Sequence, residues 1–427
     1  MGNIKETLRN TPLLPVWHFV KTKPPVKQMR SLAGKWRRYY TLKIKLPRIY
    51  RKYASQPVDE KKVVFFEVRL AELTNSLQTL HRTITEMGGY EVHTHFLRLS
   101  FASRRQYDKN CVEFVKDIAT AKYIFADEAS NVLSCVPMRP ETIVTQTWHG
   151  CGAFKKFGFS TADLIFGLNR EQQLKYPFYK NYTYVTLSSP EVAWAYEEAM
   201  NLSDRPEVLK ATGISRTDVF FDPDFIAKAY EKLHQQMPES KGRKVILYAP
   251  TFRGRVAHGE APDKLDIPMF QKALGEEYVL LIKQHPLVRV RPEVPKECRE
   301  FAMDVTETMA IDDLLCVADI CISDYSSLVF EYSLFEKPMI FFAYDKAEYD
   351  DWRGFYYNYE EMTPGPICTE NEEMLDYILH LDTRFDKQQV IDFKYKFMRS
   401  CDGHATERIL DMVMGEQKSA KKEAAAK

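Results

Sequence analysis

Short apolar runs alternate with helical patterns along most of this 427-residue chain, beginning near residue 60. Parallel strands need a long crossover connection, which is usually a helix, so this alternation predicts parallel sheets of the doubly wound type. The alternation breaks near residues 223–240 and then starts again. Because a domain typically has about 100–200 residues, two such series predict two α/β domains that face a cleft.

The predicted strands follow from the apolar runs, which are short and bounded by turn residues. They are Val63–Val68, Glu91–Phe96, Tyr123–Phe125, Ile143–Gln146, Thr183–Leu187, Val245–Ala249, Tyr278–Lys283, Ile320–Ser323 and Met339–Tyr344. Ser188 and Glu191 form a candidate capping box, with Pro190 in the first turn of the next helix. We predict a basic segment at 1–58, a first domain at 59–225, a second domain at 226–395, and a C-terminal helix and tail at 396–427.

The first 58 residues are strongly basic. They contain 14 Lys and Arg but a single acidic residue, which gives a charge of +13 against −12 for the rest of the chain. Apolar residues recur at helical spacing between the basic ones: Val26, Met29, Leu32, Ala33, Trp36 and Tyr40. This pattern predicts a helix that binds an anionic membrane surface, although a helix packed on the body would show the same pattern. No recognition element for nucleic acid follows, so a nucleic-acid partner is not expected.

Two histidines come directly after predicted strands. His149 follows the strand Ile143–Gln146 and precedes Gly150, which allows a tight turn, and His285 follows Tyr278–Lys283 and precedes Pro286. Ligands of parallel sheets bind at the carboxyl ends of the strands. His149 is therefore a candidate base that removes a proton from an acceptor hydroxyl, with hydrogen bonding to loop backbone as the alternative.

Two further loops contain groups suited to phosphate. Ser326 and Ser327 begin a helix after the strand Ile320–Ser323, where a helix start attracts anions, although an ordinary serine cap would look the same. Glu331 lies one turn later and is a candidate acceptor for ribose hydroxyls. Arg253 follows the strand Val245–Ala249 and offers a guanidinium to phosphate.

Several other functions are disfavoured by the sequence. Neither a dinucleotide-binding glycine motif, a P-loop nor a hydrolase nucleophile motif is present, and the eight cysteines contain no C-x-x-C pair. We therefore predict no metal and no cofactor, and read Asp222–Asp224 as a turn rather than a metal motif. With no signal peptide and no apolar run of about 20 residues, the chain is expected to stay in the cytosol.

Taken together, the motifs resemble those of the CDP-glycerol glycerophosphotransferase family of teichoic acid synthesis. The resemblance covers about residues 120–410 and rests on segments in a fixed order: Thr147–Gly150, Thr212–Asp218, Tyr248–Arg253, His285–Pro286, Ser323–Ser327, Lys337–Asp345, Arg353–Tyr356, Pro364–Pro366 and Asp402–Arg408. It implies a GT-B fold of two Rossmann-like domains. It also implies transfer of a polyol phosphate from a CDP-polyol to a hydroxyl, with release of CMP.

The resemblance also assigns residues and partners. His149 resembles the family's base, and His285 the histidine that contacts the donor pyrophosphate. The complete set of candidate binding residues is Gly150, Arg253, Pro286, Asp324, Ser326, Ser327, Glu331 and Arg353. Glycerol phosphate is the first expectation for the transferred group, with ribitol phosphate as an alternative donor.

The implied acceptor is a polyprenyl-diphosphate-linked glycan or a polyol phosphate, in the synthesis of a wall teichoic acid or a similar capsule. The implied location is the cytoplasmic face of a bacterial cell membrane, with a peripheral attachment. Homo-oligomers are compatible with the sequence. Two other functions are left open: a GT-B glycosyltransferase that uses a CMP-sugar or another nucleotide-sugar, and a non-catalytic, membrane-associated glycan-binding protein.

Overall fold

Two six-stranded parallel sheets form the core of the computed structural model, which describes residues 24–98, 103–162, 164, 167, 169–254, 259–346 and 354–425. The strands of the first sheet are β1 (Asp59–Glu67), β2 (Glu91–Phe96), β3 (Ala121–Ala126), β4 (Ile143–Gln146), β5 (Tyr184–Thr186) and β6 (Leu209–Lys210). Those of the second sheet are β7 (Lys244–Tyr248), β8 (Tyr278–Ile282), β9 (Ala302–Asp304), β10 (Ile320–Ser323), β11 (Met339–Phe342) and β12 (Ile367–Cys368).

The strand order is β2-β1-β3-β4-β5-β6 in the first sheet and β12-β11-β10-β7-β8-β9 in the second. The prediction of two parallel α/β sheets is therefore confirmed, and each of the nine predicted strands is present. Sequence reasoning missed β6, β9 and β12. These strands have two or three residues each, and polar side chains such as Lys210 and Asp304 interrupt the apolar pattern that marks the longer strands.

Helices connect the strands and cover the sheets. Those with eight or more residues are Pro24–Tyr39, Leu46–Tyr53, Asn75–Met87, Arg104–Ile118, Ala193–Met200, Pro223–Gln236, Ile267–Leu274, Asn371–Leu379, Lys387–Met398 and Ala405–Ala425. Shorter helices are Asn131–Ser134, Arg170–Lys175, Ile311–Val317, Leu328–Tyr332, Tyr359–Met362 and Leu381–Arg384. Asp222 caps the helix Pro223–Gln236 by accepting from the Asp224 N–H, which explains the D-P-D sequence without a metal.

The last helix returns to the first sheet. Ile409 and Val413 of this helix are buried against Val63 and Phe65 of β1. A strand with both faces covered reads as a continuous apolar run, which is why β1 was evident in the sequence.

The basic segment has two different parts. Leu42, Leu46 and Tyr50 are buried in the core of the first domain, whereas Leu32 and Trp36 of the preceding helix are 65% and 66% exposed. Residues 1–23 and the side chains of Val26 and Met29 lie outside what the structure describes. The exposed apolar surface of this segment therefore precedes Leu42.

The predicted capping box at Ser188 is wrong by one residue. Ser189 caps the turn, since its hydroxyl accepts from the Glu191 N–H at 3.2 Å. The Ser188 hydroxyl accepts instead from the Gly152 N–H at 2.9 Å and donates to the Phe397 carbonyl at 2.8 Å. Ser188 thus ties the loop after β4 to the helix Lys387–Met398.

Within the described residues, no helix is long and apolar enough to cross a membrane.

Candidate active site

A cavity of about 510 Å³ lies between the two domains, at the carboxyl ends of β4, β7, β8 and β10. Seven of the sequence-predicted residues line it: His149, Gly150, His285, Pro286, Ser326, Ser327 and Glu331. Arg353 lies outside the described residues. The loops that were selected one by one in the sequence therefore come together at a single place.

The two domains approach closely beside this cavity. A Cβ atom on Gly152 would lie 2.4 Å from the ring of Phe330, and Gly152 has a φ of 62°, so only glycine fits there. The backbone at Lys155 also forms an antiparallel bridge with Phe355 of the second domain. The loop after β4 is thus both the carrier of His149 and a contact between the domains.

His149 is held by a strained and well-packed loop. The preceding residue, Trp148, has a φ of 54°, in the left-handed region that a bulky side chain rarely adopts. The Gln146 side chain accepts from the Trp148 N–H at 3.0 Å, and the Trp148 ring packs on that of His149 with centroids 4.5 Å apart. These contacts fix the direction of the imidazole.

The hydrogen bonds of His149 define its tautomer. Its Nδ1 lies 3.0 Å from the carbonyl oxygen of Asp127 and 3.1 Å from Oε1 of Glu128. A carbonyl can only accept, so Nδ1 carries the proton and Nε2 keeps its lone pair. Burial, with Arg69 and Arg216 nearby, lowers the pKa of His149 to about 4. The ring is therefore neutral at pH 7, as a base must be.

Sequence reasoning missed three acidic residues near His149: the Glu128 carboxylate and the Asp127 carbonyl contact its ring, and Glu67 interacts with it electrostatically. Glu67 ends β1 and accepts from three successive backbone N–H groups, and Asp127 and Glu128 follow β3. Burial raises the pKa of Asp127 and that of Glu128 to about 7. These residues lie at the carboxyl ends of β1 and β3, on the same sheet edge as His149. That position in the sequence could have identified them as candidate site residues.

His285 has the opposite tautomer. Its Nδ1 accepts from the Leu287 N–H at 3.1 Å, so in the neutral ring the proton is on Nε2. The ring packs on Phe252 with centroids 4.7 Å apart. The Nε2 of His285 can therefore donate a hydrogen bond to a ligand, whereas the Nε2 of His149 can accept one.

Ser326 and Ser327 lie at the start of the helix Leu328–Tyr332. The Ser326 hydroxyl accepts from the Leu328 N–H at a long 3.4 Å, and the Ser327 hydroxyl makes no capping hydrogen bond. Both side chains are partly exposed and line the cavity. The ordinary capping explanation for these serines is therefore weak.

The structure does not bring Arg253 and Asp324 to the cavity. Arg253 pairs with Asp324 at 2.8 Å and with Asp345, and Asp324 also accepts from the backbone N–H groups of Thr251 and Tyr325. Two carboxylates neutralise the guanidinium, so we assign this pair to holding the loops after β7 and β10 together. The phosphate contact of Arg253 and the binding role of Asp324 stay predictions, which the position of these residues outside the cavity lining does not support.

Glu331 lines the cavity but is part of a buried ion cluster. Arg216 lies 2.6 Å from Asp312 and 3.5 Å from Glu331, and its guanidinium also donates to the His149 carbonyl at 2.9 Å. Burial opposes the charge of Arg216, but Asp312 and Glu331 outweigh it and raise its pKa. Oε2 of Glu331 is buried without a hydrogen-bond partner in the described residues. Glu331 therefore uses one oxygen for Arg216, and its other oxygen is buried.

The positive charge of the cavity comes mainly from residues that sequence reasoning did not select. Lys155, Lys156, Arg216 and Lys283 line it, and Glu331 is the one carboxylate among the described lining residues. The double lysine after the Gly150–Gly152 turn was the signal available in the sequence. This excess of cations suits a ligand with phosphate groups.

Comparison with known proteins gives a family. Residues 48–415 match the family model described as CDP-glycerol:poly(glycerophosphate) glycerophosphotransferase. A teichoic acid poly(ribitol-phosphate) polymerase of Bacillus spizizenii is 33% identical over 84% of this chain, which spans 57% of that protein's length. A teichoic acid ribitol-phosphate primase of the same organism is 31% identical over 84% of this chain and 92% of its own. A teichoic acid glycerol-phosphate primase of Bacillus subtilis is 28% identical over 72% of this chain and 77% of its own.

Solved structures agree on the fold. One structure of the wall teichoic acid polymerase TagF superposes with a TM-score of 0.71, over 92% of this chain and 97% of that one. The sequence identity in that superposition is 21%, so it supports the fold and no more.

Proposed function

The chain belongs to the CDP-glycerol:poly(glycerophosphate) glycerophosphotransferase family, and we propose that it transfers a polyol phosphate from a CDP-polyol to an acceptor hydroxyl, releasing CMP. The observation that carries this proposal is the neutral His149 in one interdomain cavity with Lys155, Lys156 and Lys283. Arg216 also lines this cavity but is already paired with Asp312 and Glu331. As the base removes its proton, the acceptor oxygen becomes negative and is repelled by the phosphodiester anion. Cationic side chains are needed to offset this repulsion. The acceptor is a polyprenyl-diphosphate-linked glycan or a polyol phosphate of a teichoic acid or a similar capsule polymer.

The proposed step moves one proton and one phosphoryl group. Nε2 of His149 takes the proton of the acceptor hydroxyl while that oxygen attacks the phosphorus that bears the polyol. The bond from this phosphorus to the bridging oxygen breaks, and CMP leaves with the electron pair. Hydrogen bonds from Nε2–H of His285 and from Ser327, with the charges of Lys155 and Lys156, stabilise the leaving CMP.

CDP-ribitol is the donor that we propose to test first. The two relatives that are named for ribitol phosphate align with a larger share of this chain, at higher identity, than the glycerol-phosphate primase does. CDP-glycerol, which the motifs alone favoured, is the second donor. Glu331, which lines the cavity, would then accept a hydrogen bond from a hydroxyl of the ribose or of the polyol.

The two domains would adopt the GT-B arrangement, with the nucleotide held mainly by the second domain. The enzyme would act at the cytoplasmic face of the membrane, held there as a peripheral protein by the helix Pro24–Tyr39. Its exposed Leu32 and Trp36 and the basic Lys35, Arg37 and Arg38 of the same helix support this placement.

Replacement of Leu32 and Trp36 by serine should release the protein from anionic vesicles. Each side chain contributes about 1.5–3 kcal/mol when it leaves water, so the partition coefficient should fall at least tenfold. Sedimentation with phosphatidylglycerol vesicles measures this, and Val290→Ser, at a residue 85% exposed in the second domain, is the matched control. Unchanged sedimentation of the double variant would place the membrane contact elsewhere.

Substitution of His285 or Ser327 by alanine should weaken donor binding. Loss of one hydrogen bond to a charged phosphate costs about 1.5–3 kcal/mol, which raises the dissociation constant roughly 10–100-fold. Calorimetric titration of CDP-ribitol and CDP-glycerol tests this. His380→Ala, at an exposed histidine far from the cavity in sequence and fold, should bind as the wild type does. Equal affinity in all variants would remove both residues from the donor site.

The function itself is tested by the choice of donor. The protein is incubated with CDP-ribitol, CDP-glycerol or a CMP-sugar, together with a lipid-linked acceptor, and CMP is quantified. We expect acceptor-dependent CMP release with a CDP-polyol and none with the CMP-sugar. The reverse pattern would support the glycosyltransferase alternative, and no CMP from any donor would support the glycan-binding alternative.

A further inference from the structure

A second cavity, of about 420 Å³, lies at the carboxyl edge of the first sheet and has no role in the chemistry above. The basic segment at Gly34–Leu42 forms one wall, and the helix Arg104–Ile118 forms another. The third wall is the segment that follows β3. This cavity therefore lies between the exposed basic helix and the first domain.

The charges of this cavity are those of an anion site. Arg37, Arg38 and Arg104 line it, and Asp108 is the one carboxylate among its described lining residues. The structure pairs neither Arg37 nor Arg104 with a carboxylate among the residues that it describes, whereas Arg38 contacts the Asn131 side chain at 3.4 Å. Because a guanidinium matches two phosphate oxygens at once, three of them in one cavity favour a phosphate or diphosphate.

Part of the remaining lining is apolar, beside the polar Thr41, Tyr107, Ser130 and Asn131. Leu42, Val68, Leu97 and Val132 contribute side chains to the same cavity. A free inorganic anion would gain nothing from these groups, but an anion joined to a hydrocarbon chain would bury that chain against them.

One short segment of the chain, residues 127–130, contacts both the proposed base His149 and this cavity. Ala129 and Ser130 line it, and they follow the two residues, Asp127 and Glu128, that contact His149. A ligand anchored here by its phosphate end would extend along this segment toward His149. We infer that this second cavity binds the phosphate or diphosphate group of a lipid-linked acceptor, with the first part of the lipid chain against its apolar wall.

This inference rests on the proposed function for the acceptor class alone, and direct binding tests it without turnover. The full chain is titrated calorimetrically with farnesyl diphosphate, with inorganic pyrophosphate and with CDP-ribitol. Farnesyl diphosphate should bind at least about tenfold more tightly than pyrophosphate because of the apolar wall. Equal affinities would overturn the lipid part of the inference.

Variants locate the site. The double variant Arg37→Gln, Arg104→Gln should lower the affinity for farnesyl diphosphate roughly 10–100-fold. The control variant Arg51→Gln, Lys52→Gln removes the same charge from exposed residues outside the lining, and it should change this affinity less than about threefold. Equal weakening by both pairs would show diffuse attraction and overturn the site.

CDP-ribitol separates this inference from the proposed function. Its affinity should be unchanged by Arg37→Gln with Arg104→Gln, and parallel loss of CDP-ribitol binding in this variant would overturn a separate acceptor site. If the wild type binds farnesyl diphosphate as expected but neither CDP-ribitol nor CDP-glycerol, the proposed function fails and the lipid-phosphate site stands.

Discussion

His149→Ala should lower kcat by about 10²–10⁴, the contribution typical of a general base. The substitution removes Nε2, which the Nδ1 contact to the Asp127 carbonyl leaves as the proton acceptor. Binding of the CDP-polyol should change little, because the donor phosphates are assigned to His285, Ser327 and the lysines. CMP release with saturating acceptor gives kcat, and calorimetry gives the donor affinity.

The matched control is His404→Ala. The His404 side chain is 69% exposed and does not line the interdomain cavity, so turnover should stay at the wild-type level. If His149→Ala retains more than about a tenth of the wild-type kcat, His149 is not the base. A large loss of donor affinity in this variant would instead make His149 a binding residue.

Arg216→Ala should destabilise the protein by about 3–5 kcal/mol, the usual cost of removing one partner from a buried ion cluster. Asp312 and Glu331 are both almost fully buried and would be left without their cation. The same guanidinium supports the His149 carbonyl, so the activity of the folded variant should fall as well. The midpoint and slope of urea unfolding measure the free energy of unfolding.

Arg384→Ala is the control for this effect. Arg384 pairs with Asp376 on the surface, where both side chains are about half exposed, so its loss should cost less than about 1 kcal/mol. An equally small loss of unfolding free energy for Arg216→Ala would mean that Asp312 and Glu331 become protonated or hydrated without cost. The cluster would then not join the two domains as the structure suggests.

The sequence was informative where a residue's role depends on its neighbours along the chain. Strands such as β1 and β8 are buried on both faces and therefore appear as apolar runs. Because ligand sites of parallel sheets lie at strand ends, the same runs identified His149 and His285 before any distance was known. The two-residue strand β6 gave no such pattern and was missed.

The sequence failed where a role depends on partners that are distant along the chain. Arg253 looked like a phosphate ligand, yet Asp345, ninety-two residues later, occupies its guanidinium. The ion pair of Glu331 with Arg216, which lies far earlier in the chain, was likewise invisible in the sequence, although a ribose contact of Glu331 stays a prediction. No local pattern reports such pairings. The lysines at 155 and 156 were visible but could not be placed in the cavity without the fold.

The most direct test of the central claim is the mass of the product. Wild-type protein is incubated with a lipid-linked acceptor and CDP-ribitol or CDP-glycerol, and the acceptor is analysed by mass spectrometry while CMP is quantified. The account predicts that the acceptor gains whole polyol-phosphate units, with one CMP released for each unit, and that His149→Ala gives neither product. An acceptor that gains a sugar from a CMP-sugar, or that stays unmodified with both CDP-polyols, would contradict it.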